Sequence, residues 1–324
     1  MVLEGTLEQI HEERRKGKNG IIRIAFPDGH LYPDMKEIAG YAGLSDFPDE
    51  KNKSFTDSTL TSNGIDIPLE QAINRPRAIA RHLKNGVYDI GIVGLDTTYD
   101  ELLLKENAQN GNLKIEPPYD SRDLKERLRT QNLEYLASLD FRPSYSYLAV
   151  PRDFGYKEGE FDKFLADYTN GKAIGKIVAA SEFLHIAKSF LDYFGIKYEE
   201  IYRTDGATEN NLIQGGADLI IDVGETGNSI RKAGGVILTA VIQESYPLLL
   251  ANRDSYTKYQ KQIEIIKERI MYGKRKKEEN DPKAFEIKDP HWFDVLNLVF
   301  DQIPFSRLFK KGKGNGNSNG NGRH

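Results

Sequence analysis

Short apolar, β-branched runs alternate with stretches of helical periodicity along most of this chain, and that alternation is what most restricts its fold. Ile21 to Phe26 (IIRIAF) reads as a buried strand closed by Pro27. Asp28-Gly29-His30 makes the turn, and Pro33 to Gly43 reads as a helix, proline near its start and glycine at its C-cap. A second helix follows Pro76, with Ile79 and Leu83 one turn apart and Gly86 as its stop; Tyr88 to Val93 is then a strand closed by Gly94. Tyr145 to Val150 is a further strand. The pattern resumes with a strand at Lys176 to Ala180 and a helical stripe of Phe183, Ile186, Ala187, Phe190, Leu191 and Phe194, stopped by Gly195. Strands at Glu199 to Tyr202, Ala217 to Val223 and Val236 to Ile242 follow, the last two separated by a short helix near Ser229 to Ala233. Residues 45–68 read as polar loop. Residues 105–134 read as an insertion that ends in a charged helical piece. Two runs of alternation predict an α/β protein of two lobes, with mainly parallel sheets and a cleft between them.

Composition removes whole classes of function. With 324 residues there is room for about two domains. No run of about 18 apolar residues occurs, and the first 20 residues are charged where a secretory signal needs an apolar core, so a cytoplasmic protein without a membrane partner is expected. The absence of cysteine excludes disulfides and thiolate chemistry. The six histidines show no metal-ligand spacing, so no protein-built metal site is expected. A net charge of −4 gives no reason to expect a nucleic acid partner. Arg75, Arg77 and Arg81, and Lys274 to Lys277, read as solvated helix faces. After Tyr256 the chain is helical and charged; Trp292 to Phe300 carries an apolar stripe, and from Lys310 the Gly/Asn/Lys composition predicts disorder.

The segment ADLIIDVGETGNSI, Ala217 to Ile230, carries the most chemistry. A buried strand runs into Asp222 and Glu225, then Thr226-Gly227-Asn228-Ser229, then a helix. Backbone N–H groups at such a turn suit a phosphate, and Gly227 lets the backbone come close. Asp222 and Glu225 suit sugar hydroxyls or a Mg²⁺-bound ligand instead. An ordinary strand-to-helix turn with a Thr/Ser cap fits the same residues.

This segment resembles the phosphoribosyl-diphosphate-binding signature of the ATP phosphoribosyltransferase family. Four further stretches are similar to that family in the same order: IRIAFPDGHL (Ile22 to Leu31), Arg75-Pro76 with YDIGIVGLD (Tyr88 to Asp96), SLDFRPSYSYLAVP (Ser138 to Pro151), and Asp205-Gly206-Ala207-Thr208-Glu209. The resemblance covers about residues 20–275. It implies a type II periplasmic-binding-protein-like core whose chain crosses between lobes near Tyr145 and near Val241. Lobe I would comprise 20–143 and 241–272 and lobe II 144–240, with extensions at 1–19 and 273–309 and a tail at 310–324.

The activity implied is transfer of phosphoribose from 5-phosphoribosyl 1-diphosphate to N1 of ATP, with Mg²⁺ present and diphosphate released, which opens histidine biosynthesis. The donor would be held by Asp222, Glu225, Thr226, Gly227, Asn228 and Ser229. Acceptor candidates are Asp28, Gly29, His30, Arg75, Gly94, Asp96 and Glu209. For four of these a plainer role also fits: a surface turn for His30, a helix N-cap for Asp96, a solvated first-turn acid for Glu209, a solvated face for Arg75. No catalytic side chain is assigned, since positioning and charge stabilisation suffice. The family's first turn usually reads Pro-Lys-Gly-Arg and its inter-lobe strand carries an arginine, where this chain has Asp28, His30 and Tyr145. A paralogue with another base or nucleotide acceptor, and a non-catalytic binder on the same fold, therefore stay open. A homo-oligomer without its own regulatory domain is expected, with room for a separate regulatory subunit.

Overall fold

A computed structural model describes residues 20–51, 55–104, 124–169 and 177–285. The expectations for residues 1–19 and 105–123, the Trp292 to Phe300 stripe and the tail from Lys310 lie outside these residues.

Eleven strands form two sheets among the described residues. The first contains β1 (Ile22–Pro27), β2 (Thr56–Ser62), β3 (Ile65–Asn74), β4 (Ile90–Gly94), β5 (Leu133–Ser138) and β11 (Pro247–Asn252), in the order β2-β3-β1-β4-β11-β5. The second contains β6 (Ser144–Pro151), β7 (Ile177–Ser181), β8 (Tyr198–Arg203), β9 (Leu219–Gly224) and β10 (Gly235–Ser245), in the order β10-β6-β9-β7-β8. The chain leaves the first sheet between β5 and β6 and returns between β10 and β11, so two short segments, 139–143 and Tyr246, connect the sheets.

The α/β layering follows the alternation in the sequence, but the sheets are mixed rather than mainly parallel. Only β1–β3, β1–β4, β7–β8 and β7–β9 are parallel. The other pairings, β2–β3, β4–β11, β5–β11, β6–β9 and β6–β10, are antiparallel. The cause is the double crossing. A chain re-entering a sheet from the far side arrives in the opposite direction, and β11 does so between β4 and β5.

One expected loop is a hairpin, and the strand β11 carried no reading. Within residues 45–68, β2 and the first four residues of β3 form a hairpin around Asn63-Gly64, both at positive φ (50° and 72°), as the favoured two-residue turn demands. Only one residue of β2, Leu60, is buried, so its Thr/Ser-rich sequence hides the strand. β11 is buried along its whole length and opens on Pro247, a position where a strand tolerates proline.

Helix α1 (Tyr32–Ala42) follows β1 and ends on Gly43 at φ 79°. Helix α2 (Pro76–Lys84) lies so close to β4 that a Cβ on Gly91 would come within 2.7 Å of Ile79 Cγ2. A short helix α3 (Leu95–Thr98) and a π-helical turn (Tyr99–Leu104) follow β4; α4 (Leu124–Thr130) precedes β5. Around the second sheet lie α5 (Phe161–Thr169), α6 (Leu184–Tyr193), α7 (Asn210–Ile213) and α8 (Asn228–Lys232). The long helix α9 (Arg253–Asn280) buries Ile263, Ile266 and Ile270 against the first sheet and α1, each contributing roughly 1.5–3 kcal/mol. α9 does not stop at 272, where an extension was expected. A Cβ on Gly273 would lie 2.2 Å from the Ile38 carbonyl oxygen, and Lys277 is buried between Asp34, Glu37 and Asp281 at 3.0, 2.8 and 3.2 Å. Lys277 is thus no part of a solvated face.

Candidate functional site

Strand ends and crossing segments meet at a cleft of about 480 Å³. From the first sheet come the turn after β1 (Asp28, Gly29, His30), the N-cap of α2 (Arg75) and the end of β4 (Gly94, Asp96). Six of the seven acceptor candidates are therefore brought together on one wall. Glu209 is absent from the lining, although its charge acts on Asp222. The second sheet contributes Glu182, Phe183, Asp205, Gly206 and Val223, and the crossings contribute Arg142, Ser144, Ser245 and Tyr246. Of the donor segment, only Val223 lines this cleft; the turn Thr226 to Ser229 sits beyond it.

The β1 turn is held by two backbone donors: Asp28 N–H to the Asn74 carbonyl (2.9 Å) and Gly29 N–H to Glu50 Oε1 (2.7 Å). Asp96 is buried at the foot of the wall, and burial pushes its carboxyl above the usual range while the Thr97 N–H, the Ser245 hydroxyl and the charge of His30 oppose this. Its own N–H donates to Ser245 Oγ (3.1 Å), tying β4 to the returning crossing. Gly94, not Asp96, occupies the N-cap of α3, so the plainer role expected for Asp96 does not hold. A Cβ on Gly94 would come within 2.5 Å of the Asp96 carboxylate.

The arginines on α2 are paired with acids, although Arg81 stays about half exposed to solvent. Arg81 makes a two-pronged contact with Glu101 (2.9 Å each), and Arg77 reaches Glu101 (3.8 Å) and Glu182 (3.3 Å). Arg75 is exposed at the cleft mouth. Asp100, beside Glu101, accepts from the first N–H groups of α6, His185 (2.7 Å) and Ile186 (3.1 Å), and faces Arg203 of β8 at 3.4 Å. A carboxylate from the first sheet's side thus caps a helix of the second, as the helix dipole favours. His185 takes part through its backbone, in line with a structural role.

On the second sheet Asp222 ends the buried part of β9, and burial raises its carboxyl to about 7, with Glu209 and Glu182 adding to the rise. Gly227 stands at φ 68°, and a Cβ there would meet Ile237 Cδ1 at 2.3 Å. Arg231 braces the turn through the Thr226 carbonyl (2.7 Å) and Glu158 (2.6 Å). Tyr145 is buried and stacks on Tyr147, ring centres 5.8 Å apart, and does not line the cleft. The cation of that crossing is Arg142, three residues earlier, which the sequence reading left out. Only its position in a segment rich in turn residues hinted at it. The reading also omitted Ser245 and Tyr246, which reach the cleft because β10 ends there.

Two mixed sheets joined by twin crossings, with a cleft lined by both signs of charge, define an α/β core of the kind that binds a polar ligand between strand ends. The family model for ATP phosphoribosyltransferase matches residues 75–272, more than half of the chain. Among curated proteins, the ATP phosphoribosyltransferase of Anoxybacillus flavithermus is 25% identical over 264 residues, covering 81% of this chain and 99% of that protein. That of Kocuria rhizophila is 30% identical over 235 residues, covering 72% of this chain and 66% of the other. The ATP phosphoribosyl transferase (HisG:HisZ) complex from Thermotoga maritima shares the fold, with a TM-score of 0.53 at 19% identity over 79% of this chain and 99% of that one. This chain belongs to the ATP phosphoribosyltransferase family.

Proposed function

We propose that this chain transfers the phosphoribosyl group of 5-phosphoribosyl 1-diphosphate to N1 of ATP, the opening step of histidine biosynthesis, in the cleft between its two sheets. The observation that carries this reading is the family match over residues 75–272, which encloses most of the cleft lining together with the donor segment. We read the two sheets as lobes of a type II periplasmic-binding-protein-like fold that close on their substrates about segments 139–143 and Tyr246.

In this reading Thr226 to Ser229 take the 5′-phosphate of the donor, and Asp222 and Glu225 face its ribose. The adenine of ATP lies against the wall of Gly94 and Asp96, with His30 and Arg75 toward its phosphates. The N1 lone pair forms the bond to ribose C1, and the electron pair of the breaking C1–O bond leaves with diphosphate. Positive charge grows on the ribose ring in between, and nearby carboxylates stabilise it. Holding the two reactants in line supplies much of the remaining acceleration.

Among the described residues no group of three or more acidic or histidine side chains could hold a metal by itself. In this reading Mg²⁺ arrives on the diphosphate, since the ion keeps several waters and takes only one or two carboxylates. Asp222 and Glu225 are the side chains that would hold it, and its contribution is to neutralise charge on the leaving diphosphate. The Thermotoga maritima structure is a HisG:HisZ complex, which supports a separate partner subunit here; we read that partner as regulatory and the chain as a homo-oligomer in the cytoplasm. The test is diphosphate release by the purified chain with donor, ATP and Mg²⁺. Release that requires ATP is expected; release indifferent to ATP, or none, overturns the reading.

A further inference from the structure

Six non-glycine residues adopt positive φ among those described, and four are the Asp and Asn that tolerate it: Asp46, Asn63, Asn132 and Asp140. Arg142, at φ 47°, is one of the two exceptions. Arginine gains nothing locally from this conformation, so the surroundings must impose it. They do so from the C-terminal end of α9 and the 3-10 turn Pro282–Phe285 that follows. Arg142 N–H donates to the Ala284 carbonyl at 2.9 Å. On one side Asp140 is paired with Lys274 (3.1 Å), and on the other Phe141 packs on Phe285 with ring centres 6.1 Å apart. The side chain is then aimed by Asp34, which accepts from Arg142 Nε at 2.9 Å and is itself held by the buried Lys277 at 3.0 Å.

That contact uses Nε alone. Among the described residues the two Nη groups have no hydrogen-bond partner, the side chain is 31% exposed, and it lines the cleft. Glu225, the acid assigned to the donor's ribose, is near enough for its charge to act on Arg142. Of the other cleft cations, Arg77 is engaged with Glu101 and Glu182, while His30 lies in the turn after β1 and Arg75 at the N-cap of α2. A guanidinium offering paired N–H groups beside a ribose acid matches a phosphate oxygen pair.

We propose that Arg142 is a specificity-determining residue that binds a phosphate of the donor's diphosphate, and that residues 274–285 are the device that positions it. The proposal rests on the phosphoribosyl reading of the cleft. It also gives the stretch beyond the family match a purpose, because Lys274, Lys277 and Ala284 all act on the crossing segment.

The test compares Arg142→Gly, Arg142→Gln and Arg142→Lys with the wild type in steady-state assays that vary the donor and ATP separately. Glycine suits the backbone at φ 47°, so Arg142→Gly removes the side chain without backbone strain, and its thermal midpoint should fall only by the lost contact with Asp34. It should raise the KM for 5-phosphoribosyl 1-diphosphate by about 10–100-fold, as loss of a charged hydrogen bond does, while the KM for ATP stays within about threefold. Arg142→Lys should recover part of the loss and Arg142→Gln none. Equal donor KM values in Arg142→Gln, Arg142→Lys and wild type overturn the proposal even if the glycine variant fails to fold. A rise in the KM for ATP alone also overturns it. A wild-type chain with no donor turnover overturns the underlying reading instead, and this proposal with it.

Discussion

The Asp100 carboxylate accepts a hydrogen bond from the backbone N–H of His185 at 2.7 Å, across 85 residues of sequence and from one sheet's side to the other. The same oxygen accepts from Ile186, and the second oxygen faces Arg203. One short acidic pair, Asp100 and Glu101, therefore links the end of β4 to α6 and β8.

Asp100→Ala should destabilise the protein by about 2–4 kcal/mol, because it uncaps α6 and leaves Arg203 with Glu101 alone. Asp100→Asn keeps an acceptor for the two N–H groups and should lose roughly half as much. Thermal and urea unfolding of both variants against wild type measure this; equal stability of all three would show that the cap contributes nothing.

Asp222 makes stability depend on pH in a direction opposite to that of a paired carboxylate. Its folded value of about 7 lies above the unfolded 3.8, so the folded state prefers the neutral form. The stabilisation is complete below about pH 4 and is lost as pH rises through about 7. Unfolding free energy should fall by about 1–4 kcal/mol across that window, and Asp222→Asn should flatten the curve. Urea titrations at several pH values check it. If the charged form is the one that accepts the donor's hydroxyls, the donor KM should drop over the same range in the wild type and not in the variant.

Gly227 and Thr226 separate backbone from side chain in the proposed phosphate turn. Gly227→Ala meets both the positive φ and the Ile237 side chain, so about 1–2 kcal/mol of stability should be lost along with donor affinity. Thr226→Val removes a hydroxyl and leaves the fold intact, so donor binding alone should weaken. Calorimetric titration with 5-phosphoribosyl 1-diphosphate, beside thermal melts, distinguishes the two; unchanged affinity in both variants would place the phosphate elsewhere.

Gly273→Ala should displace α9 from α1, since the added Cβ would lie 2.2 Å from the Ile38 carbonyl oxygen. A loss of about 1–3 kcal/mol is expected. Because Lys274, Lys277 and Ala284 follow directly, the displacement should also raise the donor KM. Melting curves and donor kinetics on this one variant test both effects.

The amino-acid sequence alone determined the strands with continuous apolar runs, β1, β4, β6, β7 and β9, because burial on both faces of a strand writes itself into consecutive residues; it also determined the helices α1, α2, α6 and α8, but not α5 or α7. It brought Asp28, His30, Arg75, Gly94 and Asp96 into view through the family resemblance of its motifs, Asp96 by its place at a strand end as well. It did not reveal β2, whose exposed Thr/Ser face carries little apolar signal, although Asn63-Gly64 marked the hairpin. Only the tertiary structure decided strand direction, since pairing depends on where the chain re-enters a sheet and local periodicity is the same for parallel and antiparallel neighbours. It alone decided the fate of the charges as well. Arg81 and Lys277 read as solvated yet are paired, and Arg142, which carried no signal of its own, lines the cleft. Their partners, Glu101, Asp34 and Ala284, lie 20 to 243 residues away in sequence, and an ion pair or a backbone hydrogen bond across such a separation leaves no periodic trace.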